Sequence, residues 1–361
     1  MDIRFAYWVP NVSGGLVVSK IPQRTDWSFD YNAWLAREAE RAGFDYGLVQ
    51  ARYFASYGAE YQLEAVSTAA GLAAATQRLK LIAAVHPGLW HPAVLAKVGA
   101  TIDLISRGRF AVNIVSGWFK QEFTGFGLPW LEHDERYLRS EEFGRVLRGL
   151  WSGEPFTFRG RFYHVEAPPL KPGPVQNVPE IFLGGNSKAA RRVAAAVADW
   201  YFMNGNTLDG LREQIEEVSA LAAEAGRRVR FGVNAFVICR KTEEEAREEL
   251  RGIIEHADRE AVEAFREQVK QAGKSSPEGK GMWANSTFED LVQYNDGFRT
   301  GLIGTPETIA AKIQELHAIG VDLVLCGFLH YSSDLAAFGK EVIPLVRQLP
   351  PARKAESAVG A

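Results

Sequence analysis

The feature that most constrains the fold is a repeated alternation of two kinds of segment. Short apolar runs, rich in β-branched and aromatic residues, are separated by longer amphipathic segments of helix length. The first run is IRFAYWV near the start of the chain, and the last is VDLVLCGF at 321–328. This alternation predicts successive βαβ units and therefore a parallel sheet covered by helices.

The number of apolar runs further limits the architectures that are possible. About eight strands are predicted, at 3–9, 46–50, 79–85, 110–115, 181–185, 200–204, 230–239 and 321–328. Helices are predicted at 29–42, 60–76, 92–105, 135–151, 187–198, 208–225 and 334–347. This pattern favours an α/β fold of the TIM (β/α)8 barrel type over an open doubly wound sheet. A dinucleotide-binding open sheet is expected to carry GxGxxG after a strand, and the sequence has no such motif.

Two segments interrupt the alternation. Residues 152–179 are rich in Gly and Pro, and residues 257–304 form a longer insertion that is polar and contains Gly at its centre. A long insertion in a compact domain is usually a binding loop or a lid, so we expect the second one to be a lid. We therefore predict a single barrel domain over 1–349 and a disordered tail over 350–361, which is small and polar.

Composition excludes several classes of function. The 41 Lys and Arg residues against 44 Asp and Glu residues give a net charge of −3, so no global positive field attracts nucleic acid or an anionic membrane. Cys239 and Cys326 lie in apolar runs, and no Cys-x-x-Cys pair suggests zinc or redox chemistry. The first residues lack the features of a signal peptide, and no apolar stretch has the length of a membrane span. We expect a soluble, cytoplasmic protein with buried cysteines.

The catalytic groups of such a barrel lie just after the C-terminal ends of its strands. These positions are rich in Asn, Ser, Gly and aromatic residues and poor in paired carboxylates. Glycosidase chemistry needs two opposed acids and has no obvious pair here. A metal hydrolase needs several His and Asp ligands, and only His86, His91 and His330 are candidates, so we expect no metal site.

Five stretches together resemble one family. These are FAYWVPNVSGGLVVSK, VNIVSGWFKQEF, HDERYLRSEEF, EDLVQYNDGF and DLVLCGFLH, which occur in this order along the chain. The chain is similar over nearly its whole length to the bacterial luciferase-like, reduced-flavin-dependent monooxygenases, and within them to enzymes that act on dimethyl sulfone. The resemblance implies a two-component enzyme that uses O2 and reduced FMN (FMNH2) to cleave a carbon–sulfur bond of dimethyl sulfone, giving methanesulfinate and formaldehyde. It also implies an NAD(P)H-dependent flavin reductase as partner, and a homodimer or homotetramer.

The resemblance assigns residues to the flavin ring. Asn113 is implied to hydrogen-bond the ring or the ribityl chain, and Glu122 is at the position of a flavin-contacting acid. Ala51 and Arg52 are at a position where relatives contact the pyrimidine edge of the flavin. A guanidinium there would stabilise the anionic reduced ring. A turn-forming Asn and an exposed loop acid are the alternative interpretations of Asn113 and Glu122.

A second group is assigned to the FMN phosphate. Arg136 and Tyr137 match an Arg-Tyr pair that reaches the phosphate and ribityl end in the family, and guanidinium and phenol groups suit phosphate oxygens. Gly185 and Ser187 lie where a strand ends and a helix begins, so backbone N–H groups and a hydroxyl would point at an anion. Ser187 could instead be only a helix N-cap.

The remaining candidates surround the substrate. Aromatic residues expected to wall the cavity are Trp8, Tyr53, Phe54, Trp90, Trp118, Phe236 and Phe328. Asn234 would donate to a sulfone oxygen. His330 is the first candidate for proton transfer and His86 the second, because an imidazole titrates near neutrality. Arg299 corresponds to a lid arginine of the alkanesulfonate enzymes and should reach flavin or substrate oxygen.

Three alternative functions remain open from the sequence. The chain has Asn234, Phe236 and Val12 where alkanesulfonate monooxygenases have an Arg and two His residues. This difference favours a neutral sulfone, although Arg299 could pair with a sulfonate. A deazaflavin-dependent dehydrogenase or a non-catalytic flavin-binding subunit would share the same barrel.

Overall fold

The computed structural model describes residues 3–23, 25–54, 59–274, 283 and 286–348. Within these ranges the strands are β1 Arg4–Val9, β2 Tyr46–Val49, β3 Lys80–Val85, β4 Phe110–Ile114, β5 Phe156–Arg159, β6 His164–Ala167, β7 Glu180–Gly184, β8 Trp200–Met203, β9 Arg230–Cys239, β10 Ile303–Gly304 and β11 Leu323–Phe328. The predicted tail after residue 348 lies outside the described residues.

The α-helices of the same ranges follow the strands along the chain. They are α1 Phe29–Ala42, α2 Ala65–Ala75, α3 Pro92–Ser106, α4 Lys120–Gly125, α5 His133–Trp151, α6 Lys188–Val197, α7 Leu208–Glu224, α8 Glu243–Glu255, α9 Arg259–Lys274, α10 Phe288–Leu291, α11 Pro306–Ala318, α12 Tyr331–Ala337 and α13 Ile343–Gln348. A 3-10 helix covers Gly297–Thr300, and a π-helical turn covers Phe338–Val342 between α12 and α13.

Eight parallel strands close into a barrel. Their order around the ring is β9, β11, β1, β2, β3, β4, β7 and β8, and β8 pairs with β9 to close it. The short strand β10 pairs with the C-terminal end of β9. The predicted TIM-type barrel is therefore confirmed.

The inside of the barrel follows from the two-residue period of its strands. In β1, Ala6 and Trp8 face the interior, whereas Phe5, Tyr7 and Val9 pack against the outer helices. The interior cluster continues with Tyr46, Leu48, Ile82, Ala111, Phe182, Trp200, Phe202, Leu323 and Leu325. The barrel is thus filled by side chains, and room for a ligand exists only beyond the strand ends.

Helix boundaries are explained by their caps. Helix α2 begins at Ala65, five residues later than predicted, because the Glu64 carboxylate accepts hydrogen bonds from the Val66 and Ser67 N–H groups. Helix α1 is terminated by its C-cap residue, Gly43, whose φ of 94° favours glycine.

The two interruptions contain different kinds of secondary structure. The first contains an antiparallel hairpin of β5 and β6, held by the buried Glu142 carboxylate, which accepts N–H groups of residues 161–163. The second contains α9, α10 and the 3-10 helix. Residues 275–282 and 284–285, where the lid prediction is centred, lie outside the described residues.

The N-terminal end of the barrel is closed by a charged cluster. The Glu180 carboxylate accepts hydrogen bonds from Lys80 Nζ at 2.7 Å, Trp200 Nε1 at 3.1 Å and the Tyr46 hydroxyl at 3.2 Å, and it pairs with Arg230. The Arg230 guanidinium lies 4.0 Å from the centre of the Trp200 ring. Each polar group in this cluster has a protein partner.

Both cysteines are free and buried, as predicted, and burial raises the pKa of the Cys239 thiol to about 11. Among the helices that the structure describes, none combines the length and the apolar character needed to span a bilayer.

Candidate active site

The C-terminal ends of the strands form the floor of a deep cavity. Inward-facing residues of all eight barrel strands line it, namely Trp8, Leu48, Ala84, Asn113, Gly184, Phe202, Asn234 and Leu325. The loops that follow β2 and β4 add Gln50, Ala51, Arg52, Val115 and Trp118. The space between the protein atoms is about 1150 Å³, a volume that includes the open mouth.

A smaller pocket continues from this cavity. Val115, Trp118, Gly184 and Trp283 line both spaces. The smaller pocket is further lined by Ser116, Gly117, His133, Arg136, Tyr137 and Ser187. Together they make one elongated cleft, with a large, mostly apolar chamber and a small polar end.

Two side-chain amides in the chamber each have a buried atom with no hydrogen-bond partner in the part of the chain that the structure describes. These atoms are Asn113 Oδ1, an acceptor, and Gln50 Nε2, a donor. Leaving such a group buried and unpaired costs about 1–3 kcal/mol, so most buried polar groups are paired. The chamber therefore suits a ligand whose edge offers both a donor and an acceptor.

A charged cluster lies beside the chamber. The Glu122 side chain is fully buried, and its Oε1 atom accepts the Tyr53 N–H at 2.7 Å. Its Oε2 atom lies 3.6 Å from Arg52 Nη1 and 3.6 Å from His86 Nε2. Burial lowers the pKa of His86, while Glu122 and the Val115 carbonyl act in the opposite direction. Arg52 also stacks on Trp118, with 4.5 Å from its Cζ atom to the ring centre.

The small polar end is built around the start of α6. Ser187 is the N-cap of α6, and its hydroxyl accepts the Ala190 N–H at 3.2 Å. Gly185 has a φ of 136°, and a Cβ atom there would lie 2.6 Å from the Tyr137 hydroxyl and 2.7 Å from Ala190 Cβ. A glycine is therefore required, and it lets a ligand approach the backbone closely. The helix N-terminus favours an anion at this end.

Arg136 adds a cation to the same end. Its Nη1 atom donates to the Leu131 carbonyl at 2.7 Å, and its guanidinium lies 4.2 Å from the centre of the Trp130 ring. Burial lowers the pKa of Arg136, but a guanidinium remains charged at neutral pH. An anionic group in this pocket would reduce the cost of burying that charge.

The described part of the second insertion covers the chamber. Phe265, Trp283 and Tyr294 line it and pack on one another and on Trp118, with ring centroids 5.4–5.6 Å apart. The Trp283 indole N–H donates to the Tyr294 carbonyl at 2.8 Å. We call Phe265, Trp283 and Tyr294 the roof.

The roof is tied to the floor through Asn234. Its Oδ1 atom accepts the Trp8 indole N–H at 2.7 Å, and its Nδ2 atom donates to the Asn295 carbonyl at 2.9 Å and to Gln293 Oε1 at 3.3 Å. The amide predicted to donate to a substrate oxygen is therefore already engaged, and it holds the roof in place.

Most predicted site residues meet in this cleft. Trp8, Ala51, Arg52, His86, Asn113, Trp118, Gly185 and Asn234 line the chamber, and Arg136, Tyr137 and Ser187 line the small polar end. Glu122 is brought to the site but lies behind Arg52 and His86 rather than on the cavity wall.

Four predicted wall residues do not reach the chamber surface. Phe236 is fully buried against Phe298, and Phe54 lies exposed against Phe126. Tyr53 and Trp90 bond to each other, since the Tyr53 hydroxyl accepts the indole N–H of Trp90 at 3.0 Å.

Phe328 also packs away from the chamber. It lies outside the barrel against Phe44, Tyr331 and Phe338, because the inward positions of β11 are Leu325 and Gly327.

The structure also separates two proposed catalytic residues from the chamber. His330 begins α12 and lines a different groove with Arg240 and several glutamates of α8. Its backbone N–H donates to Asp334 at 3.0 Å. Arg299 lies on the 3-10 helix and donates to Asn206 Oδ1 at 3.2 Å. Of the candidates for proton transfer, His86 is the one that lines the chamber.

Several lining residues were missed by sequence reasoning. Gln50 follows β2 directly, so its place at a strand end was a usable signal. Asn204 likewise follows β8, and Phe202 is an inward residue of that strand. Trp283 and Tyr294 of the second insertion were not missed, because the sequence predicts them as aromatic surface that is buried when the lid closes, and both line the chamber.

Comparison with known proteins defines the class. A sequence model of the family described as luciferase-like monooxygenase matches residues 3–323. The chain belongs to this family, as the resemblance implied.

Individual relatives are similar over nearly the whole chain. The FMNH2-dependent dimethylsulfone monooxygenase of Pseudomonas fluorescens (strain Pf0-1) is 60% identical over 356 residues, covering 99% of this chain and 97% of the relative. The protein of the same name from Pseudomonas putida is 59% identical over 358 residues, covering 99% of each. The crystal structure of riboflavin lyase (RcaE) with modified FMN and riboflavin matches with a TM-score of 0.84 at 21% identity, covering 99% of this chain and 94% of that one. At that identity the likeness shows the shared fold.

Proposed function

We propose that this chain is a monooxygenase that uses FMNH2 and O2 to cleave dimethyl sulfone into methanesulfinate and formaldehyde. The observation that carries the proposal is the elongated cleft, whose large chamber suits a flat ring with polar edges and whose small end suits a phosphate. The names of the relatives with about 60% identity support the same activity.

The donor set fits FMN. Asn113 Oδ1 and Gln50 Nε2 would bond the polar edge of the flavin ring, and Arg52 would face its anionic reduced form. The N-terminus of α6, Ser187 and Arg136 would hold the phosphate. Bound FMNH2 would supply the electrons that activate O2. The residues of the chain bind and orient the reactants, exclude water and move protons.

The roof supports chemistry that requires a dry chamber. Phe265, Trp283 and Tyr294 form an aromatic cover over the cleft. A water-excluded site strengthens electrostatic interactions and prevents side reactions. We therefore assign the second insertion as a lid that closes over cofactor and substrate.

The charge of the chamber favours a neutral substrate. Among its described lining residues Arg52 is the cation, and its charge is balanced by Glu122 at 3.6 Å. Arg299, the residue that could have paired with a sulfonate, donates instead to Asn206. Burying a sulfonate without a cationic partner costs several kcal/mol, and a neutral sulfone avoids that cost.

The decisive experiment compares two substrates. Formaldehyde release from dimethyl sulfone and from methanesulfonate is measured with the same reductase and FMN. We expect kcat/KM to be at least about a hundredfold higher for dimethyl sulfone, which corresponds to about 3 kcal/mol. Equal turnover would assign the protein to the alkanesulfonate enzymes. Hydride transfer without O2 consumption would indicate a deazaflavin-dependent dehydrogenase, and flavin binding without turnover a non-catalytic subunit.

The cofactor and partner proposals have their own tests. Because FMNH2 would arrive by diffusion from an NAD(P)H-dependent reductase, we expect reduced FMN to bind more tightly than oxidised FMN in anaerobic titrations. Because the reductase needs NAD(P)H, which is available in the cytoplasm, we propose a cytoplasmic location for the enzyme. On the family resemblance we propose a homodimer or homotetramer, which sedimentation equilibrium would distinguish from a monomer.

A further inference from the structure

The two ring nitrogens of His86 face chemically different partners. Nδ1 lies 2.9 Å from the Val115 carbonyl oxygen. A carbonyl can only accept a hydrogen bond, so Nδ1 carries a hydrogen. Nε2 faces the Glu122 carboxylate, with its Oε2 atom 3.6 Å away.

This arrangement makes the proton on Nε2 depend on Glu122. Without that proton, the lone pair of Nε2 points at a negative oxygen, which is repulsive. With that proton, the His86 imidazolium faces the Glu122 carboxylate, and both side chains are buried. A nearby opposite charge favours the charged form of a buried group, whereas burial alone disfavours it.

Other charged groups near His86 act against its protonation. Arg52 and Arg139 are both positive and disfavour an imidazolium. The Tyr53 ring packs beside His86, and burial raises the pKa of its phenol to about 12, so it is neutral. Glu122 is therefore the anionic group among these neighbours that favours a second proton on His86.

Glu122 also fixes the position of Arg52. Its Oε1 atom is held by the Tyr53 N–H at 2.7 Å, which orients the carboxylate. Its Oε2 atom is then placed between Arg52 and His86, 3.6 Å from each. Arg52 and His86 line the chamber, whereas Glu122 does not.

We propose that Glu122 is a positioning residue that makes His86 the proton-transfer residue of the chamber and holds Arg52 beside it. This inference rests on the proposed function and replaces the expectation that Glu122 contacts the flavin. Collapse of the hydroxylated sulfone to methanesulfinate and formaldehyde releases its hydroxyl proton, and forming water from the second oxygen atom of O2, with electrons from the anionic reduced flavin, takes one up. His86 donates the proton that forms water and takes up the proton released from the product. The protonation of the His86–Glu122 pair is therefore unchanged after a turnover.

The first test uses the protein without cofactor. The chain has seven His residues, and the His86 ring signal in an NMR pH titration is identified by its absence in His86→Asn. We expect Glu122→Gln to lower the His86 titration midpoint by at least one pH unit, and Glu122→Asp to lower it by less. Glu142→Gln is the matched control, since Glu142 is a buried carboxylate that accepts three backbone N–H groups away from the chamber. It should leave the midpoint unchanged.

The second test uses turnover. We expect Glu122→Gln to move the basic limb of the kcat profile to lower pH by at least one unit, to lower kcat at pH 8 about tenfold, and to leave KM for dimethyl sulfone within about twofold. A purely structural role would lower activity equally at all pH values.

The outcomes separate this inference from the proposed function. An unmoved His86 midpoint in both Glu122 variants overturns the inference, even if dimethyl sulfone is turned over. A lowered midpoint without dimethyl sulfone turnover retains the pairing of Glu122 with His86 and overturns the assigned reaction. If Glu122→Gln does not fold, Glu122→Asp decides, and an unchanged midpoint in that variant overturns the inference.

Discussion

The polar groups at the two ends of the barrel differ in how completely they are hydrogen-bonded. At the N-terminal end, Glu180 is paired with Lys80 and Arg230 and accepts hydrogen bonds from Trp200 and Tyr46. At the C-terminal end, three buried atoms have no hydrogen-bond partner within the described ranges, namely Asn113 Oδ1, Gln50 Nε2 and His86 Nε2.

This difference indicates that the N-terminal end of the barrel serves stability and the C-terminal end serves ligand binding. Both ends are formed by the same strands, so the fold itself does not explain why one end is satisfied and the other is not. A fully paired cluster rigidifies the barrel, whereas unpaired groups lower its stability unless a ligand satisfies them. Changes at the N-terminal end should therefore affect stability alone, and changes at the C-terminal end should affect ligand binding.

The largest expected effect is on stability, from Glu180→Gln. Burial alone would raise the pKa of Glu180, but Lys80 and Arg230 outweigh burial and hold it below its usual value. Removing the anion leaves two cations uncompensated, which should cost about 3 kcal/mol. This is the low end of the usual range because Arg230 is 37% exposed. Denaturant unfolding at pH 7 measures the loss, and the FMN affinity should not change.

Acid provides a check on the Glu180 result. A carboxylate with a lowered pKa stabilises the fold above its unfolded pKa, and this stabilisation is lost as the pH falls through the folded pKa. The difference between wild type and Glu180→Gln should therefore shrink in acid. Glu166→Gln is a suitable control, because Glu166 is 80% exposed and pairs with Arg159, which is also exposed. A loss of comparable size in that control would argue against a role for burial.

The second effect concerns Asp296, beside the roof. Burial raises its pKa to about 6, despite hydrogen bonds from Ser286 and Asn204. The folded state then binds more protons than the unfolded state, so stability falls as the pH rises from about 4 to about 6. Asp296→Asn should remove this cost, stabilising the protein by about 3 kcal/mol at pH 8 and by much less at pH 4. Asn also tolerates the φ of 54° at this position. Equal effects at both pH values would contradict the assignment.

The third effect is on ligand binding, from Asn113→Ala. Because Asn113 Oδ1 has no hydrogen-bond partner among the described residues, its removal should leave the free energy of unfolding of the cofactor-free protein unchanged or slightly higher. It should weaken FMNH2 binding by about 1.5 kcal/mol, or roughly tenfold. Anaerobic titration measures the affinity. A large loss of stability with unchanged affinity would mean that Asn113 serves the fold and not the ligand.

The barrel was predictable from sequence because strands and helices alternate with different hydrophobic periods. The strand-end rule also located Arg52, Asn113 and Ser187 correctly in the cleft. Phe328 could have been excluded by the same reasoning. Gly327 is inward on β11, so the next side chain must point out of the barrel.

The rest of the site depends on contacts between distant segments. Trp283 covers the chamber only because the second insertion folds back over Trp118. Glu122 is near the flavin position along the chain, yet its side chain turns to the backbone of residue 53. Asn234 is engaged by Trp8 and Asn295, which lie 226 and 61 residues away. Local patterns carry no information about such pairings.

The smallest expected effect tests whether Ser187 is a phosphate ligand or only a cap. Its hydroxyl accepts the Ala190 N–H, and it also lines the small polar end of the cleft. Ser187→Ala should weaken FMN binding by about 1 kcal/mol, the usual worth of one hydrogen bond, and should also lower stability by about 1 kcal/mol through the lost cap. Thr207 caps α7 in the same way, by accepting the Gly210 N–H at 3.3 Å, and does not line the cleft. Thr207→Ala should therefore cost similar stability without any change in FMN affinity. If both variants bind FMN as wild type does, Ser187 acts only as a helix cap, and the anion site is formed by Arg136 and the backbone of α6.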